Sequence, residues 1–490
     1  MIKKQNYLKL FLNSILIMGL SACAFTSETA LDNNNNLYPE KLTEISIQGS
    51  FNKAIIAVNI STDYSNTNDT ENFGNAPVSN LQNIHTLITP VDPVPFLEPN
   101  LPTTPLITTN KSPNKHTNQP LKSLNYLTED PETTTFYDPA LPGNIAATKV
   151  VSNNNCVIYV DSNSWTTYEN DANFNTYLNN AITYFTNTIQ TNAANNLSEI
   201  DYNTDVDNNG KMILFITSMT NHSSANENTA GYFWAINLYD TNQQNCNDCI
   251  NSNEKEILYI NIEKIINNDY QHVIAHEFTH YLGAAARLIK GSGVNYDVWI
   301  EEGIAEGLTP YLSNDPDILI NSFARLNEVK NGTGFLKQTN ADSWYTYALS
   351  YTFFDYCRIQ MDQEADFYKN LIEKSTNTTT KTNYKVLDNI IKTYNPNEDT
   401  DLIVNFEDAL ISYKIANHVK HSSNKYGYKN NTFQTSNLPS PLASPTNTGI
   451  ETSGAIYFIQ GDTYTEDTID DFVPGTSGDN IKFFRIIPTE

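Results

Sequence analysis

Residues 272–280 read HVIAHEFTH, placing histidines at 272, 276 and 280 with Glu277 among them. On a helix, side chains four positions apart lie one turn apart, so His276 and His280 direct their imidazoles at a common point. Two neutral imidazoles at that spacing form a zinc-binding pair. A carboxylate next to the first of them, here Glu277, is placed to act as general base toward water. His272 is also one turn from His276, but four residues add about 40° of drift around the helix. It reads as a neighbour of the pair rather than a ligand.

Zinc takes a third protein ligand. The stretch VWIEEGIAEGL at 298–308 offers one, because a helix there sets Ile300, Ile304 and Leu308 on one face and Glu302 and Glu306 on another. Carboxylates among apolar neighbours are costly unless they meet a metal or a hydrogen-bonding partner. Glu301 points about 100° away from Glu302 and cannot face the same ion, so it reads as a solvated charge.

The elements that must position these residues show in the pattern around them. Val157–Val160 and Met212–Ile216 are short β-rich runs bounded by Asn or Gly, as buried strands are. NFNTYLNNAITYFTNTI between them has apolar residues at helical spacing, and EILYIN at 256–261 is a further strand. In NNDYQHVIAHEFTHYLGAAARLI the residues Val273, Ile274, Phe278, Tyr281, Leu282 and Ala285 recur at helical spacing, and Asn267, Asn268 or Asp269 can cap its start. This succession predicts a sheet with helices packed against it.

HEFTH followed after a gap by Trp299-Ile300-Glu301-Glu302-Gly303-Ile304-Ala305 resembles the gluzincin zinc metallopeptidases, whose second helix carries W-L-x-E-G-h-A, with h an apolar residue. The resemblance implies that Glu302 is the third ligand. It also implies that Glu306 is the outer carboxylate that orients the first histidine, where Asp is commoner. GYFWAINLYD (231–240), EILYIN and YALSYTFFDY (347–356) are similar to the hyicolysin-like branch. Tyr347-Ala348-Leu349-Ser350 resembles the Y-x-x-G segment that carries an oxyanion-stabilising tyrosine, with Ser in place of Gly. Tyr351, one turn on, can exchange roles with Tyr347, and packing of both rings in a core is the competing reading. The G-x-M-E-N segment of aminopeptidases is missing, which favours an endopeptidase.

Asp205-Val206-Asp207-Asn208-Asn209-Gly210 matches the first half of a calcium loop, but position twelve is Ile216 instead of Glu, so a polar turn is favoured over calcium. The net charge of −26 speaks against nucleic acid as a partner. Lys3 and Lys4, an apolar run from about Leu10 to Leu20, and Leu20-Ser21-Ala22-Cys23 form a signal peptide resembling a bacterial lipobox, which implies lipid attachment at Cys23. With Ala24 next, outer membrane or cell-surface display follows. Cys156, Cys246, Cys249 and Cys357 then face an oxidising compartment, where disulfides are the default.

The expected organisation is a signal peptide (1–22), then an Asn/Thr/Pro-rich, disordered tether with a small β segment (23–122). A zincin catalytic subdomain (123–310), a helical subdomain (311–425) and an extended or β tail (426–490) follow. The fold class is α+β. The expected function is a lipid-anchored endopeptidase with one catalytic Zn2+ held by His276, His280 and Glu302, acting on peptide or protein substrates. The alternative is an inactive adhesin or binding lipoprotein on a peptidase fold.

Overall fold

The computed structural model describes residues 42–60, 70–71, 130–140, 143–198, 200, 204–219, 229–243, 246–289, 296–315, 334–336, 345–373, 384–419, 424–429, 450–451, 455–460, 466 and 481–489. The signal peptide, Cys23 and the tether apart from 42–60 and 70–71 lie outside them.

A mixed α+β domain is followed by a mainly helical region. Six strands build the main sheet: β4 (Thr133–Asp138), β5 (Gly143–Ser152), β6 (Cys156–Asp161), β7 (Met212–Thr217), β8 (Gly231–Phe233) and β9 (Ile257–Asn261), in the order β4-β5-β6-β7-β9-β8. The pairs β6/β7 and β7/β9 are parallel and the other neighbours antiparallel. The central strands lack polar alternation because both faces are covered. Ile158, Val160, Leu214, Ile216, Leu258 and Ile260 pack against helices, while Val157, Tyr159, Ile213, Phe215, Ile257 and Tyr259 pack on the opposite face.

The first helices are α1 (Ser162–Tyr168), α2 (Ala172–Tyr184) and α3 (Gln190–Asn196). Strand β9 leads into α4 (Ile262–Ile266) and then α5 (Gln271–Ala284), which carries the histidines. The expected cap of α5 by Asn267, Asn268 or Asp269 does not form. Asn268, at φ 54°, turns the chain out of α4, and Tyr270 takes the cap position of α5 without a side-chain cap bond. Burial compensates, since every residue from Val273 to Ala284 is inside the protein.

Helix α6 (Val298–Ser313) packs on α5 and presents Glu302 and Glu306. Its far side meets α7 (Tyr345–Gln360) and α8 (Ala365–Glu373), followed by α9 (Tyr384–Tyr394) and α10 (Phe406–Val419). A Cβ at Gly307 would stand 2.2 Å from the Tyr368 ring, so only glycine lets α8 approach this part of α6.

The small β segment expected within 23–122 is two strands, β1 (Leu42–Gln48) and β2 (Ala54–Asn59), which do not pair with each other. Strand β12 (Ile481–Thr489) lies between them, parallel to β1 and antiparallel to β2, and β11 (Ala455–Ile459) completes the sheet beyond β2. The short strands β3 (Thr70–Glu71) and β10 (Ile450–Glu451) pair separately. Tyr457 of β11 donates its hydroxyl to the Lys414 carbonyl at 3.0 Å, tying this sheet to α10. Among the cysteines, Cys246 and Cys249 are bridged, whereas Cys156 on β6 and Cys357 on α7 are buried free thiols, which corrects the disulfide default for that pair. No helix among the described residues is long and apolar enough to cross a membrane.

Lys414 is fully buried, and among the described residues its ammonium has no hydrogen-bond partner. The rings of Tyr413 and Phe335, 5.2 and 5.5 Å away, are its nearest electrostatic compensation. Burial pushes its pKa from 10.5 down to about 7. Between those values the unfolded chain holds a proton that the folded chain has released, so stability rises with pH across that window and the full penalty applies below about 7. Lys414→Met should therefore raise the unfolding free energy at pH 7 by about 3 kcal/mol, read from urea denaturation. The gain should shrink toward pH 10; a variant less stable than the parent at pH 7 would show that the ammonium is needed.

Candidate metal centre

The period of α5 places His276 and His280 one turn apart, and α6 crosses them with Glu302. His276 Nε2 lies 3.1 Å from His280 Nε2 and 3.2 Å from Glu302 Oε2, and His280 Nε2 lies 3.6 Å from the same oxygen. His276 and Glu302 are 1% exposed and His280 8%. Zinc held tetrahedrally at about 2.0–2.1 Å from each ligand needs donor atoms about 3.3 Å apart. The three observed separations bracket that value, and Glu302 Oε2 is buried without a well-directed hydrogen bond. The donor set therefore fits zinc in residue type, spacing and burial.

Protonation states point the same way. Burial lowers the pKa of His276, against the pull of Glu302 and Glu306, and so favours the neutral imidazole with a lone pair to give. Burial alone would raise the Glu302 pKa, but the neighbouring His280 and His276 outweigh it and hold the carboxyl below its usual range. Neutral imidazole and ionised carboxylate are the forms that bind a cation.

Glu277, the next residue on α5, is 1% exposed and lies beneath β8. A Cβ at Gly231 would come within 2.6 Å of Val273 Cγ1, 2.8 Å of the Tyr259 carbonyl and 3.3 Å of Glu277 Cγ. Glycine at 231 thus lets the last strand of the sheet pass directly over Glu277. Tyr232 beside it stacks on Tyr259, with centroids 4.4 Å apart, and donates its hydroxyl to buried Asp138. The spacing of residues in sequence held no sign of the Asp138 contact, which joins β8 to the far end of the sheet.

Glu306, one turn beyond Glu302, approaches His276 from the other side. Its Oε1 lies 3.9 Å from His276 Nδ1, and its Oε2 lies 3.0 Å from His272 Nε2. His272 is not part of the His276, His280 and Glu302 set, but with His276 and Glu306 it forms a second group whose ligand atoms lie within 4.8 Å of one another. Glu301 departs from expectation. It is paired with the buried guanidinium of Arg287 and accepts from the Tyr296 backbone N–H at 3.2 Å, while the Tyr296 ring lies 4.4 Å from that guanidinium. Helical geometry separated Glu301 from the metal face but could not reveal a partner fourteen residues earlier.

Tyr347 and Tyr351 are buried on α7, 7% and 6% exposed, in the helix that packs on α6. Burial, then Asp355, raises the Tyr351 pKa well above its usual value, with a smaller push from Glu306. At the Asp205 turn, Asp205 Oδ1 accepts from the backbone of Asn209 and Gly210 at 2.9 and 3.1 Å, and Lys255 Nζ reaches Asp207 at 2.6 Å. Glu256 joins the two aspartates, accepting from the Val206 backbone at 2.6 Å, and burial moves its pKa up to about 7. The carboxylate oxygens of Asp205, Asp207 and Glu256 lie within 4.8 Å of one another in the turn that leads into β7, and Ile216 lies inside that strand.

Comparison with known proteins bears on this centre. The chain is 24% identical over 250 residues to the neutral metalloprotease ShpI of Staphylococcus hyicus, an alignment covering 49% of this chain and 53% of the relative. The chain thus spans about half the length of the curated relative it matches. The family model described as Peptidase M30 matches residues 200–457, from just before β7 through most of β11, with the whole His, His, Glu cluster inside the match. That match covers more than half of the sequence, and the chain belongs to the peptidase M30 family.

Proposed function

We propose that the chain is a zinc-dependent endopeptidase, with His276, His280 and Glu302 as metal ligands. The observation that carries this reading is the convergence of their three donor atoms, with Glu277 on the adjoining helical position. Bound there, zinc would supply Lewis acidity toward a carbonyl oxygen and make water nucleophilic near neutral pH.

The chain's own residues supply the rest. Strand β8 ends the sheet, and among the described residues no strand pairs with its outer edge. An extended substrate can add to that edge through main-chain hydrogen bonds, which would carry its backbone over Gly231 and Glu277. A backbone held along its length suits cleavage within a chain. Glu277 takes the proton from the attacking water and delivers it to the departing amine nitrogen. Tyr347 donates to the oxyanion as charge develops there. Glu306 fixes His276 from behind. The lipobox-like Leu20–Cys23 supports lipid attachment at Cys23 and display on the outer membrane or cell surface, which would put the site among extracellular polypeptides.

Glu302 and Glu301 give a paired test on one helix. Glu302→Gln should lose bound zinc in elemental analysis. Glu301→Gln should keep it but lower stability by about 1–3 kcal/mol, because Arg287 loses a charged partner. Zinc retained in Glu302→Gln and lost in Glu301→Gln would reverse the assignment.

Chemistry is separable from binding. Glu277→Gln should keep its zinc yet cleave peptides about 10²–10⁴-fold more slowly. Tyr347→Phe should lose less, about 10- to 100-fold, since the metal shares the oxyanion charge. The parent should cleave a peptide acetylated at one end and amidated at the other. Cleavage confined to peptides with free ends would identify an exopeptidase, and full activity in Glu277→Gln would place proteolysis elsewhere.

A further inference from the structure

His272 is a histidine of α5 that the mechanism does not use, yet its ring is turned toward the site. Its Nε2 lies 3.0 Å from Glu306 Oε2, and its ring stands edge-on to that of His276 with centroids 6.0 Å apart. Its side chain is 17% exposed, whereas that of Glu306 is 1% exposed. His272 therefore lies at the rim of the core, and Glu306 lies inside it.

A carboxylate so deeply buried is held by whatever bonds it makes. Glu306 has two oxygens and two histidine neighbours. One oxygen is within hydrogen-bond distance of His272; the other faces His276 Nδ1 at 3.9 Å, beyond hydrogen-bond reach but close enough for a strong field. Negative charge on that side favours the His276 tautomer with its proton on Nδ1. The lone pair then sits on Nε2, the atom 3.1 Å from His280 Nε2 and 3.2 Å from Glu302 Oε2. Were Oε2 released, the carboxylate could rotate about its last bond, and the field at Nδ1 would change with it.

We propose that His272 is a positioning residue for the metal centre: by holding Glu306 Oε2 it keeps Oε1 opposite His276 Nδ1, and so keeps His276 Nε2 presented as a ligand. This rests on the metal reading above and adds a second residue behind His276, after Glu306. His272 acts on the centre through Glu306, so its effect is to be read in metal retention rather than in substrate binding.

The experiment measures zinc affinity of the full-length chain by competition with a chromophoric chelator at fixed pH, with no activity readout. His272→Phe keeps a ring and removes the donor, and zinc should bind about 10- to 100-fold more weakly. His272→Gln restores an N–H near the same reach and should bind within about twofold of the parent, which a merely space-filling role would not explain. Glu306→Gln should also weaken binding about 10- to 100-fold. Adding His272→Phe to it should cost no more than about twofold further, since the two act through one contact. Should His272→Phe fail to fold, His272→Asn, whose shorter amide does not reach Glu306, carries the same expectation. Parent-like affinity in His272→Phe, or losses that multiply in the double variant, would overturn the proposal and leave the metal reading standing. A second zinc that disappears with His272 would overturn it by making His272 a ligand. A parent chain that binds no zinc would overturn the metal reading itself.

Discussion

Everything around the candidate centre answers to one constraint: His276, Glu277, His280, Glu302 and Glu306 lie inside the protein, none more than 8% exposed. Ionisable groups removed from water cost several kcal/mol each unless charge or hydrogen bonds compensate them. Here compensation is mutual and directional. Imidazole nitrogens meet carboxylate oxygens across the α5/α6 contact, and the donor atoms left facing one another are those that a cation would satisfy.

Holding that arrangement requires two helices whose crossing cannot drift. Helix α5 is clamped between the sheet and α6, with residues 273–284 buried on all sides. Trp299, fully buried at the start of α6, packs against Phe335, Phe354 and Phe406. Gly307 lets Tyr368 press against the same helix, and Gly231 brings β8 down onto Glu277. The ion pair of Arg287 and Glu301 fastens the segment that follows α5 to the first turn of α6. The aromatic packing and the two glycines thus serve the same end as the polar contacts, which is to fix where Glu302 stands relative to His276.

Local rules made much of this legible in the sequence. The four-residue spacing of His276 and His280, and of Glu302 and Glu306, is a property of any helix, and apolar periodicity identified both helices. The β-rich runs of β6, β7 and β9 likewise announced buried strands. What escaped were contacts between positions far apart in the chain. Strand β12 separates β1 from β2, so the small β segment expected within 23–122 has a partner from the opposite end of the sequence. Arg287 claims Glu301, His272 meets Glu306, and Cys156 and Cys357 stay apart in separate elements. None of these follows from propensity or period, because each depends on how elements dock.

The central claim is that two imidazoles and one carboxylate from α5 and α6 hold a single zinc. X-ray absorption at the zinc edge on the purified full-length chain tests it directly, because it counts and identifies the atoms around the metal. The account predicts one zinc per chain with two imidazole nitrogens at about 2.0–2.1 Å, oxygen in the remaining positions, and no sulfur. Sulfur at about 2.3 Å, which would implicate the cysteines, or a first shell lacking imidazole, would contradict it.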